Sequence, residues 1–237
     1  MLAPQGRVAL ISGANRGIGK AIAETLHADG WSVSLGARDL GSLRRLAEGW
    51  DPTRVHCAVY RAEDWATHRA WVAGAVARFG RIDALVNNAG TNSTARIPDI
   101  APEEVDRVFA VNVKGPLGLT QAALPHLAAS GTGRVLNVAS LSGKRVRNDH
   151  VAYGMSKFAL VALTHATRRL GWADGIRATA LCPSFVDTDM AAGMNKLPAA
   201  EMTSPADLAR LAATLLSLPN TATVAELLVN CRLEDML

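Results

Sequence analysis

The segment Arg7-Val-Ala-Leu-Ile-Ser12 is a short apolar run, and Gly13-Ala-Asn-Arg-Gly17-Ile-Gly19 follows it directly. A continuous apolar run that stops at a glycine is typical of a buried β-strand followed by a turn. Helical periodicity then extends from Gly17 to a closing Gly30. The start of the chain therefore predicts a strand, a glycine-rich turn and a helix, which together form the first βα unit of a parallel sheet.

The same alternation of apolar runs and helical patterns continues along the chain. Further strands are predicted at Ser32–Ala37, Val55–Val59, Ala84–Asn87, Arg134–Ser140, Arg177–Cys182 and Val224–Val229. Helices are predicted at Leu40–Trp50, Trp65–Phe79, Val151–Arg169 and Pro205–Leu218, with one or two more within Pro102–Leu127. Strands that alternate with helices form a parallel sheet with helices on both faces. We therefore predict an α/β fold: one doubly wound, Rossmann-like domain over residues 1–237, built on a mostly parallel seven-stranded sheet.

The composition argues against a membrane or secreted protein. Hydrophobic residues make up 49% of the 237 residues, which is enough for a sizeable core. No apolar run approaches the roughly 20 residues that cross a bilayer, and the first residues lack the pattern of a signal peptide. We therefore expect a cytoplasmic protein without a membrane partner.

Charge and cysteine content argue against two further kinds of site. The formal net charge is +4, but the basic residues are scattered and no nucleic-acid-binding motif occurs, so a nucleic-acid binder on the same scaffold is disfavoured. Cys57, Cys182 and Cys231 are far apart and odd in number, which argues against a disulfide framework and against a metal site. We expect no nucleic-acid partner and no metal ion.

The glycine turn has the composition of a phosphate-binding site. Glycines let the backbone turn sharply and approach a phosphate closely, and the start of a helix offers unpaired N–H groups. Gly13, Gly17 and Gly19 lie at the carboxyl end of the first strand, where ligands bind in such sheets. An ordinary glycine-rich turn is the alternative, and the position of the motif favours a dinucleotide site.

The residues after the second predicted strand favour NADP over NAD. A dinucleotide fold that prefers NAD usually carries an acidic residue here, which binds the ribose 2′-hydroxyl group. This chain has Gly36-Ala37-Arg38 instead. We expect Arg38 and Arg16 to face a 2′-phosphate, which suits the planar guanidinium group. In the alternative interpretation, Arg38 is simply a polar residue at the start of a helix.

Three polar features follow later strands or interrupt a helix. Asn87-Asn88-Ala89-Gly90 follows the fourth strand, and its small residues let the chain pass beside an adenine or a ribose; a plain turn is the alternative. Asn112 lies inside an apolar helical stretch, where asparagine is a poor helix former, and is either a satisfied core residue or a functional one. Ser140 ends the fifth strand and either donates to a substrate oxygen or caps the chain.

Tyr153-Gly-Met-Ser-Lys157 opens the helix that follows Ser140. Residues four apart lie on one face of a helix, so the phenol and the ammonium group share a face. The pKa of a phenol is about 10, and a nearby cation lowers it toward the working range of a proton donor. The pair is a candidate general acid and base for a carbonyl or an alcohol, whereas a lone pair of this kind is more often two unrelated surface residues.

As a set, the glycine turn, the Asn-Asn-Ala-Gly segment, Ser140 and Tyr153-x-x-x-Lys157 resemble the short-chain dehydrogenase/reductase family in order and position, from Arg7 to about Val229. The resemblance implies a catalytic tetrad of Asn112, Ser140, Tyr153 and Lys157. In it the tyrosine exchanges the proton, the serine holds the substrate oxygen, the lysine lowers the pKa of the phenol and holds the nicotinamide ribose, and the asparagine steadies a water molecule.

The resemblance also implies a bound NADP, with NAD as the alternative. The segment Cys182-Pro183-Ser184-Phe-Val186-Asp-Thr188 resembles the part of the family that holds the nicotinamide amide and the phosphates. The cofactor-binding residues implied for this chain are Gly13, Asn15, Arg16, Gly17, Ile18, Gly19, Arg38, Ala62, Asn88, Ala89, Gly90, Tyr153, Lys157, Pro183, Val186 and Thr188.

The chain departs from the family pattern at several places. Ser12 stands where threonine is usual, and Ser184 stands where glycine is usual. Arg61 replaces an aspartate that often contacts adenine, so Ala62 is expected to contribute only its backbone. The C-terminal Leu228-Val-Asn-Cys-Arg232 lacks the Asp-Gly-Gly ending of many tetrameric members. The family resemblance still implies a homodimer or a homotetramer.

The implied function is NAD(P)-dependent hydride transfer to or from a small carbonyl or alcohol. Pocket walls are expected from Thr91–Arg96, Leu141–His150 and Asp189–Met202. The basic residues Lys144, Arg145, Arg147 and His150 favour an anionic substrate in one interpretation, and the preferred alternative is a solvated basic loop. A catalytically silent nucleotide-sensing regulator on the same fold is the alternative function, because fold alone does not fix function.

Overall fold

The computed structural model describes residues 1–191 and 197–233, and its centre is a parallel β-sheet. The strands are β1 (Val8–Ser12), β2 (Ser32–Ala37), β3 (Val55–Val59), β4 (Ala84–Asn87), β5 (Arg134–Val138), β6 (Arg177–Pro183) and β7 (Glu226–Val229). Their order in the sheet is β3-β2-β1-β4-β5-β6-β7, and every neighbouring pair is parallel. The predicted seven-stranded α/β fold is therefore confirmed.

Helices cover both faces of this sheet. They are α1 (Gly17–Ala28), α2 (Leu40–Leu46), α3 (Trp65–Phe79), α4 (Pro102–Phe109), α5 (Gly115–Ala129), α6 (Val151–Gly171) and α7 (Pro205–Ser217). Short 3₁₀ helices lie at Pro52–Arg54, Leu141–Gly143 and Ala199–Glu201. In the described part of the chain, no helix is both long enough and apolar enough to cross a bilayer.

The central strand β1 shows why its sequence is apolar at successive positions. Ala9 and Ile11 pack into the core cluster that contains the buried residues of α1 and α7. Val8 and Leu10 point to the other face, into the cluster that contains the buried residues of α3 and α5. Side chains alternate between the two faces of a strand, so a strand covered on both sides is apolar throughout.

The helix predicted at Leu40–Trp50 is shorter in the structure, because it ends at Leu46. Gly49 has a φ angle of +81°, which lies in the left-handed region and is incompatible with a continuing helix. Trp50 instead stacks on the His27 ring of α1, with 4.6 Å between the ring centres. The other predicted bounds agree with the structure to within about two residues.

The stretch predicted as one or two helices, Pro102–Leu127, contains α4 and α5 with a π-helical turn at Ala110–Lys114 between them. Pro116 has no backbone N–H group, so the carbonyl of Asn112 cannot receive the hydrogen bond that an α-helix would give it. The backbone N–H of Gly115 bonds to the carbonyl of Ala110, five residues back. Proline therefore accounts for an irregular helix at the position of Asn112.

The order of the strands determines where a ligand can bind. β1 pairs with β2 on one side and with β4 on the other, so the connections leave β1 and β4 in opposite directions along the sheet. A crevice opens outside the carboxyl ends of strands at such a switch point. Ser12 and Asn87 end these two strands and lie at its floor.

Candidate active site

Three glycines set the path of the turn between β1 and α1. Gly13 and Gly17 have φ angles of +65° and +53°, in the left-handed region that other residues rarely adopt. At Gly19, an added Cβ atom would lie 2.3 Å from the carbonyl oxygen of Gly13. The backbone of this turn is therefore as tight as the motif predicted, and any side chain at Gly19 would collide with it.

The N-terminus of α1 faces this crevice without a capping side chain. Its N-cap residue, Arg16, makes no side-chain capping hydrogen bond, and the first turn contains no acidic residue. The first N–H groups of a helix have no partner within the helix, and the helix dipole favours an anion beside them. The segment that contains Asn15 and Ile18 thus offers backbone donors of the kind that bind a pyrophosphate.

Ser12 and Asn88 connect the glycine turn to the end of β4. The Ser12 hydroxyl donates to the carbonyl of Val86 at 3.3 Å and accepts from the backbone N–H groups of Asn88 and Ala89 at 3.0 and 3.1 Å. Nδ2 of Asn88 donates to the carbonyl oxygens of Ser12 and Gly13 at 2.9 and 3.1 Å. The Asn88 amide therefore holds the turn in place, which leaves the backbone around Ala89 to line the crevice.

The two arginines predicted to select the cofactor lie at the outer rim. Arg38 follows β2 directly and is exposed. Arg16 is also exposed, and its Nη1 lies 3.6 Å from Oδ2 of Asp189 in the segment after β6. An ion pair this exposed contributes only about 0–1 kcal/mol. Arg16 can therefore exchange Asp189 for a bound anion at little cost.

The segment after β6 crosses in front of the glycine turn. Pro183 ends β6, and Val186 forms a parallel bridge with Thr203. The methyl carbon of Thr188 would lie 3.3 Å from a Cβ atom at Gly17, so the two segments are in contact. Of the predicted pocket wall Asp189–Met202, residues 192–196 lie outside the described residues.

Tyr153 and Lys157 share one face of α6, as their spacing predicted. Nζ of Lys157 lies 5.6 Å from the centre of the Tyr153 ring and donates to the carbonyl of Val138, at the end of β5, at 2.9 Å. A Cβ atom at Gly90 would lie 3.9 Å from the same Nζ. The ends of β4 and β5 and the first turns of α6 therefore meet at the Lys157 ammonium group.

Burial changes the proton affinity of both side chains. It raises the pKa of the Tyr153 phenol, and a hydrogen bond with the Ser140 side chain opposes this rise. Burial also lowers the pKa of the Lys157 ammonium group to about 8. We expected Lys157 to lower the pKa of the phenol, but the pKa is raised, because desolvation disfavours the charged phenolate and Ser140, not Lys157, is the group that opposes this rise.

The side chain of Asn112 is fully hydrogen-bonded. Its Oδ1 accepts from the backbone N–H of Thr91 at 2.8 Å, and its Nδ2 donates to the carbonyl of Thr91 at 2.9 Å and to Oγ of Ser156 at 3.0 Å. Ser156 in turn donates to the carbonyl of Tyr153 at 2.8 Å. The amide therefore connects the loop after β4 with the first turn of α6. Thr91 was predicted only as part of a pocket wall, and neither its contact with Asn112 nor that of Ser156 was predicted from the sequence.

A second contact that the sequence did not reveal holds the same loop from outside. Arg107 of α4 donates to Oγ1 of Thr91 at 2.8 Å and to the carbonyl of Asn92 at 3.0 Å. It also forms two hydrogen bonds of 2.7 Å with the carboxylate of Glu104. The spacing of Glu104 and Arg107 on a helix is a signal for an ion pair, but nothing local indicates the contact with the loop.

A comparison with known protein families identifies the family of this chain. A family model described as short chain dehydrogenase matches residues 7–198. The chain belongs to the short-chain dehydrogenase family. Among individual relatives, an agropine synthesis reductase of Rhizobium rhizogenes is 43% identical over 233 residues, which is 98% of this chain and 54% of the relative. The chain thus spans about half the length of the first curated relatives it matches.

Other relatives and solved structures match over nearly their whole length. An uncharacterised oxidoreductase of Staphylococcus aureus is 30% identical over 223 residues, covering 94% of this chain and 96% of the relative. Among solved structures, a 3-ketoacyl-(acyl-carrier-protein) reductase of Brucella melitensis complexed with NADH has a TM-score of 0.88 at 30% identity, covering 95% and 96% of the two chains. An alcohol dehydrogenase of Thermococcus sibiricus complexed with 5-hydroxy-NADP has a TM-score of 0.86 at 29% identity, covering 94% and 95%.

In this short-chain dehydrogenase family member, most of the predicted residues lie together but Ala62 plays a packing role. Ala62 is buried, and its Cβ would lie 2.8 Å from a Cβ atom at Gly115, the first residue of α5. Its side chain is therefore in contact with α5. Arg61, beside it, is exposed. The contact of Ala62 with a cofactor through its backbone stays a prediction.

The basic loop before Tyr153 is not a free cluster of cations. Nζ of Lys144 lies 2.6 Å from Oε2 of Glu226 on β7, and Arg145 is largely buried. Arg147 is exposed to solvent. Because Lys144 is already paired with a carboxylate, the geometry favours the alternative of a structural and solvated basic loop over an anion-binding site.

The cysteines of this dehydrogenase family member belong to no metal centre within the described residues. Over residues 1–191 and 197–233, no group of three or more His, Cys, Asp or Glu side chains is arranged to hold a metal ion. Cys182 is buried below Lys157, and burial raises the pKa of its thiol to about 11. A thiol with so high a pKa is a poor nucleophile at neutral pH, so Cys182 is a packing residue.

Proposed function

We propose that this chain is an NADP-preferring oxidoreductase that transfers a hydride between the nicotinamide and a small carbonyl or alcohol, with Tyr153 as the general acid and base. The observation that carries the proposal is the Lys157 ammonium group, which lies 5.6 Å from the centre of the Tyr153 ring, together with the Ser140 side chain, which is close enough to lower the pKa of the phenol. These groups can hold a carbonyl oxygen and give it a proton.

The residues present fit a nicotinamide dinucleotide. Gly13, Gly17 and Gly19 allow a tight backbone turn beside the start of α1, and an added Cβ at Gly19 would collide with the carbonyl oxygen of Gly13 and displace this turn. Thr188 lies against this turn from the other side. When bound, the cofactor supplies or accepts the hydride. Lys157 and the backbone of Gly90 border the place where its ribose would lie.

The proton step follows from the pKa of each group. Burial raises the pKa of Tyr153, so the phenol carries its proton at neutral pH and is ready to donate it. Ser140 donates a hydrogen bond to the substrate oxygen and keeps that oxygen next to the phenol. The positive charge of Lys157 stabilises the phenolate that remains after the transfer. The side-chain amide of Asn112 forms hydrogen bonds with Thr91 and with Ser156 of α6, and so fixes the loop after β4 to this helix.

The preference for NADP rests on Arg38 and Arg16. Both are exposed at the rim beside the end of β2 and the start of α1, and both offer a planar guanidinium group that suits a 2′-phosphate. Relatives crystallised with NADH and with NADP analogues are both known, so the arginines carry this part of the proposal. A Michaelis constant for NADPH that is not lower than that for NADH would contradict it.

The direction of the reaction is proposed as carbonyl reduction. The relatives from Rhizobium rhizogenes and Brucella melitensis are named as reductases, which supports this direction. Lys144 is neutralised by Glu226, which supports an uncharged carbonyl over an anionic one. Equal turnover of charged and neutral ketones would leave no selection by charge, and a marked preference for anionic ketones would contradict the proposal.

The decisive experiment measures the absorbance of NADPH during incubation with a panel of aldehydes and ketones. The wild-type chain is expected to oxidise NADPH with at least one of them, and Tyr153→Phe is expected to lose roughly a hundredfold to ten-thousandfold in kcat. NADPH should still bind Tyr153→Phe, because the phosphate cradle does not include the phenol and is unchanged. A wild type that binds NADPH but reduces none of the panel would favour the silent nucleotide-sensing regulator.

We also propose that the chain forms a homodimer or a homotetramer. Leu117 of α5 and Met155 and Phe158 of α6 are 42–49% exposed, although they are large and apolar. The last two line a cavity of about 450 Å³ on a different face of α6 from Tyr153. Apolar surface of this kind is commonly covered in an assembly. Sedimentation of the wild type as a monomer at micromolar concentration would contradict this proposal.

A further inference from the structure

Glu226, at the start of β7, joins two elements that carry proposed catalytic side chains. Its Oε2 lies 2.6 Å from Nζ of Lys144, and its Oε1 lies 2.6 Å from Nε2 of His165. Lys144 follows the 3₁₀ helix that Ser140 begins. His165 lies on α6, the helix of Tyr153. One carboxylate group thus contacts both the serine segment and the tyrosine helix, and we call these three residues the Glu226 network.

The Lys144–Glu226 contact is better shielded than the exposed ion pairs of this chain. The side chains of Glu226 and Lys144 are 20% and 24% exposed, whereas those of the Lys20–Glu24 pair on α1 are 47–48% exposed. Hydrogen bonds from Lys144, the larger effect, and from His165 hold the pKa of the Glu226 carboxyl below its usual range. The carboxylate is therefore ionised at neutral pH, and its contact with Lys144 is less screened by water and salt than a surface pair.

The backbone from Ser140 to Lys144 is short and packs against α6. At Gly143, an added Cβ atom would lie 2.6 Å from the carbonyl oxygen of Lys157, so the backbone packs directly on α6 there. At the other end, Oγ of Ser140 accepts a hydrogen bond from the backbone N–H of Ser142 at 3.1 Å. The whole segment is only five residues long, so we expect a shift of the Lys144 backbone to reach Ser140.

We propose that Glu226 is a positioning residue, which holds Lys144 and His165 and thereby keeps the Ser140 hydroxyl beside the Tyr153 phenol. Glu226 does not touch the reacting atoms; it acts through the serine segment. The inference rests on the proposed function, because a fixed Ser140–Tyr153 contact affects the rate only if these groups perform the proton transfer.

The test compares Glu226→Gln, Lys144→Met and the double variant with the wild type. Each single variant is expected to lower kcat for NADPH-dependent carbonyl reduction by about tenfold to a hundredfold, because small displacements of a reacting group cost that much. The Kd for NADPH should stay within about twofold, since the phosphate cradle is distant. The double variant should be no slower than the slower single variant, because both changes break one contact.

The matched control is Glu24→Gln, which removes the carboxylate of the Lys20–Glu24 pair on α1 and should leave kcat unchanged. A second readout does not need activity. In hydrogen–deuterium exchange, backbone amides of residues 140–145 should exchange faster in Glu226→Gln than in the wild type, while those of α1 should not.

Three results would overturn the inference. One is a Glu226→Gln protein with kcat within about twofold of the wild type. Another is a parallel loss of kcat, NADPH affinity and thermal stability, which would indicate a general structural role. The third is unchanged amide exchange at residues 140–145. A wild type that is inactive on every carbonyl would contradict the proposed function instead, and faster exchange in Glu226→Gln would still show that the network fixes the serine segment.

Discussion

The two halves of the crevice are built from different parts of the polypeptide. Around the glycine turn, the fit depends on backbone and on missing side chains: a Cβ atom at Gly19 would lie 2.3 Å from another carbonyl oxygen. Around Tyr153 and Lys157, the fit depends on side chains: Lys157 is buried and hydrogen-bonded, and Tyr153 is partly buried beside it. Added atoms should therefore damage the first half, and removed atoms should damage the second.

After Tyr153→Phe, the largest effect is expected at Ser140. Ser140→Ala removes a hydroxyl that contacts the Tyr153 phenol, and loss of one such donor usually lowers kcat by roughly a hundredfold to a thousandfold. The Kd for NADPH, measured by the change in nicotinamide fluorescence, should not change, because this residue belongs to the side-chain half. A tenfold loss of NADPH affinity would mean that the two halves are not separable in this way.

Lys157→Met tests the cost of burying a charge in the side-chain half. The pKa of Lys157 is lowered from 10.5 to about 8 in the folded protein, so between these pH values the unfolded chain binds more protons. This group therefore makes the folded state more stable as the pH rises from about 8 to about 10.5, by roughly 3 kcal/mol in total. Urea titrations at both ends of this range should show that gain in the wild type relative to Lys157→Met. If the free energies of unfolding of the two proteins changed in parallel with pH, the lowered pKa of Lys157 would be refuted.

Gly19→Ala tests the backbone half with a single added carbon. Overpacking a close contact costs about 1–3 kcal/mol, so NADPH should bind roughly tenfold to a hundredfold more weakly. The matched control is Gly154→Ala on α6, where the nearest atom to an added Cβ is 3.9 Å away. The control should bind NADPH normally and unfold at a slightly higher temperature, because alanine is the better helix former. Equal losses in both variants would break the comparison.

The smallest effect is expected at the exposed rim around Arg16, which belongs neither to the tightly packed glycine turn nor to the side chains around Tyr153. Asp189→Asn removes the exposed partner of Arg16 and makes that guanidinium group available to a 2′-phosphate. Since an exposed pair contributes at most about 1 kcal/mol, the Kd for NADPH should fall no more than about fivefold, and that for NADH should not change. A variant that binds NADH more tightly by the same factor would show that Asp189 acts on both cofactors through its general charge.

Sequence reasoning succeeded best where a property is local. The strand bounds of Val55–Val59 and Ala84–Asn87 and the helix Trp65–Phe79 were predicted to the residue, because their apolar patterns and flanking breakers lie within the segments themselves. The end of α2 was predicted too late, because Trp50 packs against His27 of another helix. A helical pattern alone cannot show that a tryptophan belongs to a contact made elsewhere.

The amino-acid sequence alone determined that the first strand is buried on both faces, that the first helix begins in a glycine turn, and that Tyr153 and Lys157 lie on one face of a helix. Each of these depends on periodicity or on the steric limits of nearby residues. Only the tertiary structure decided that the Asn112 amide is used by Thr91 and Ser156, and that Lys144 and His165 meet at Glu226. Such contacts join residues far apart in the chain, and their partners are chosen by how the helices pack on the sheet, which no local pattern contains.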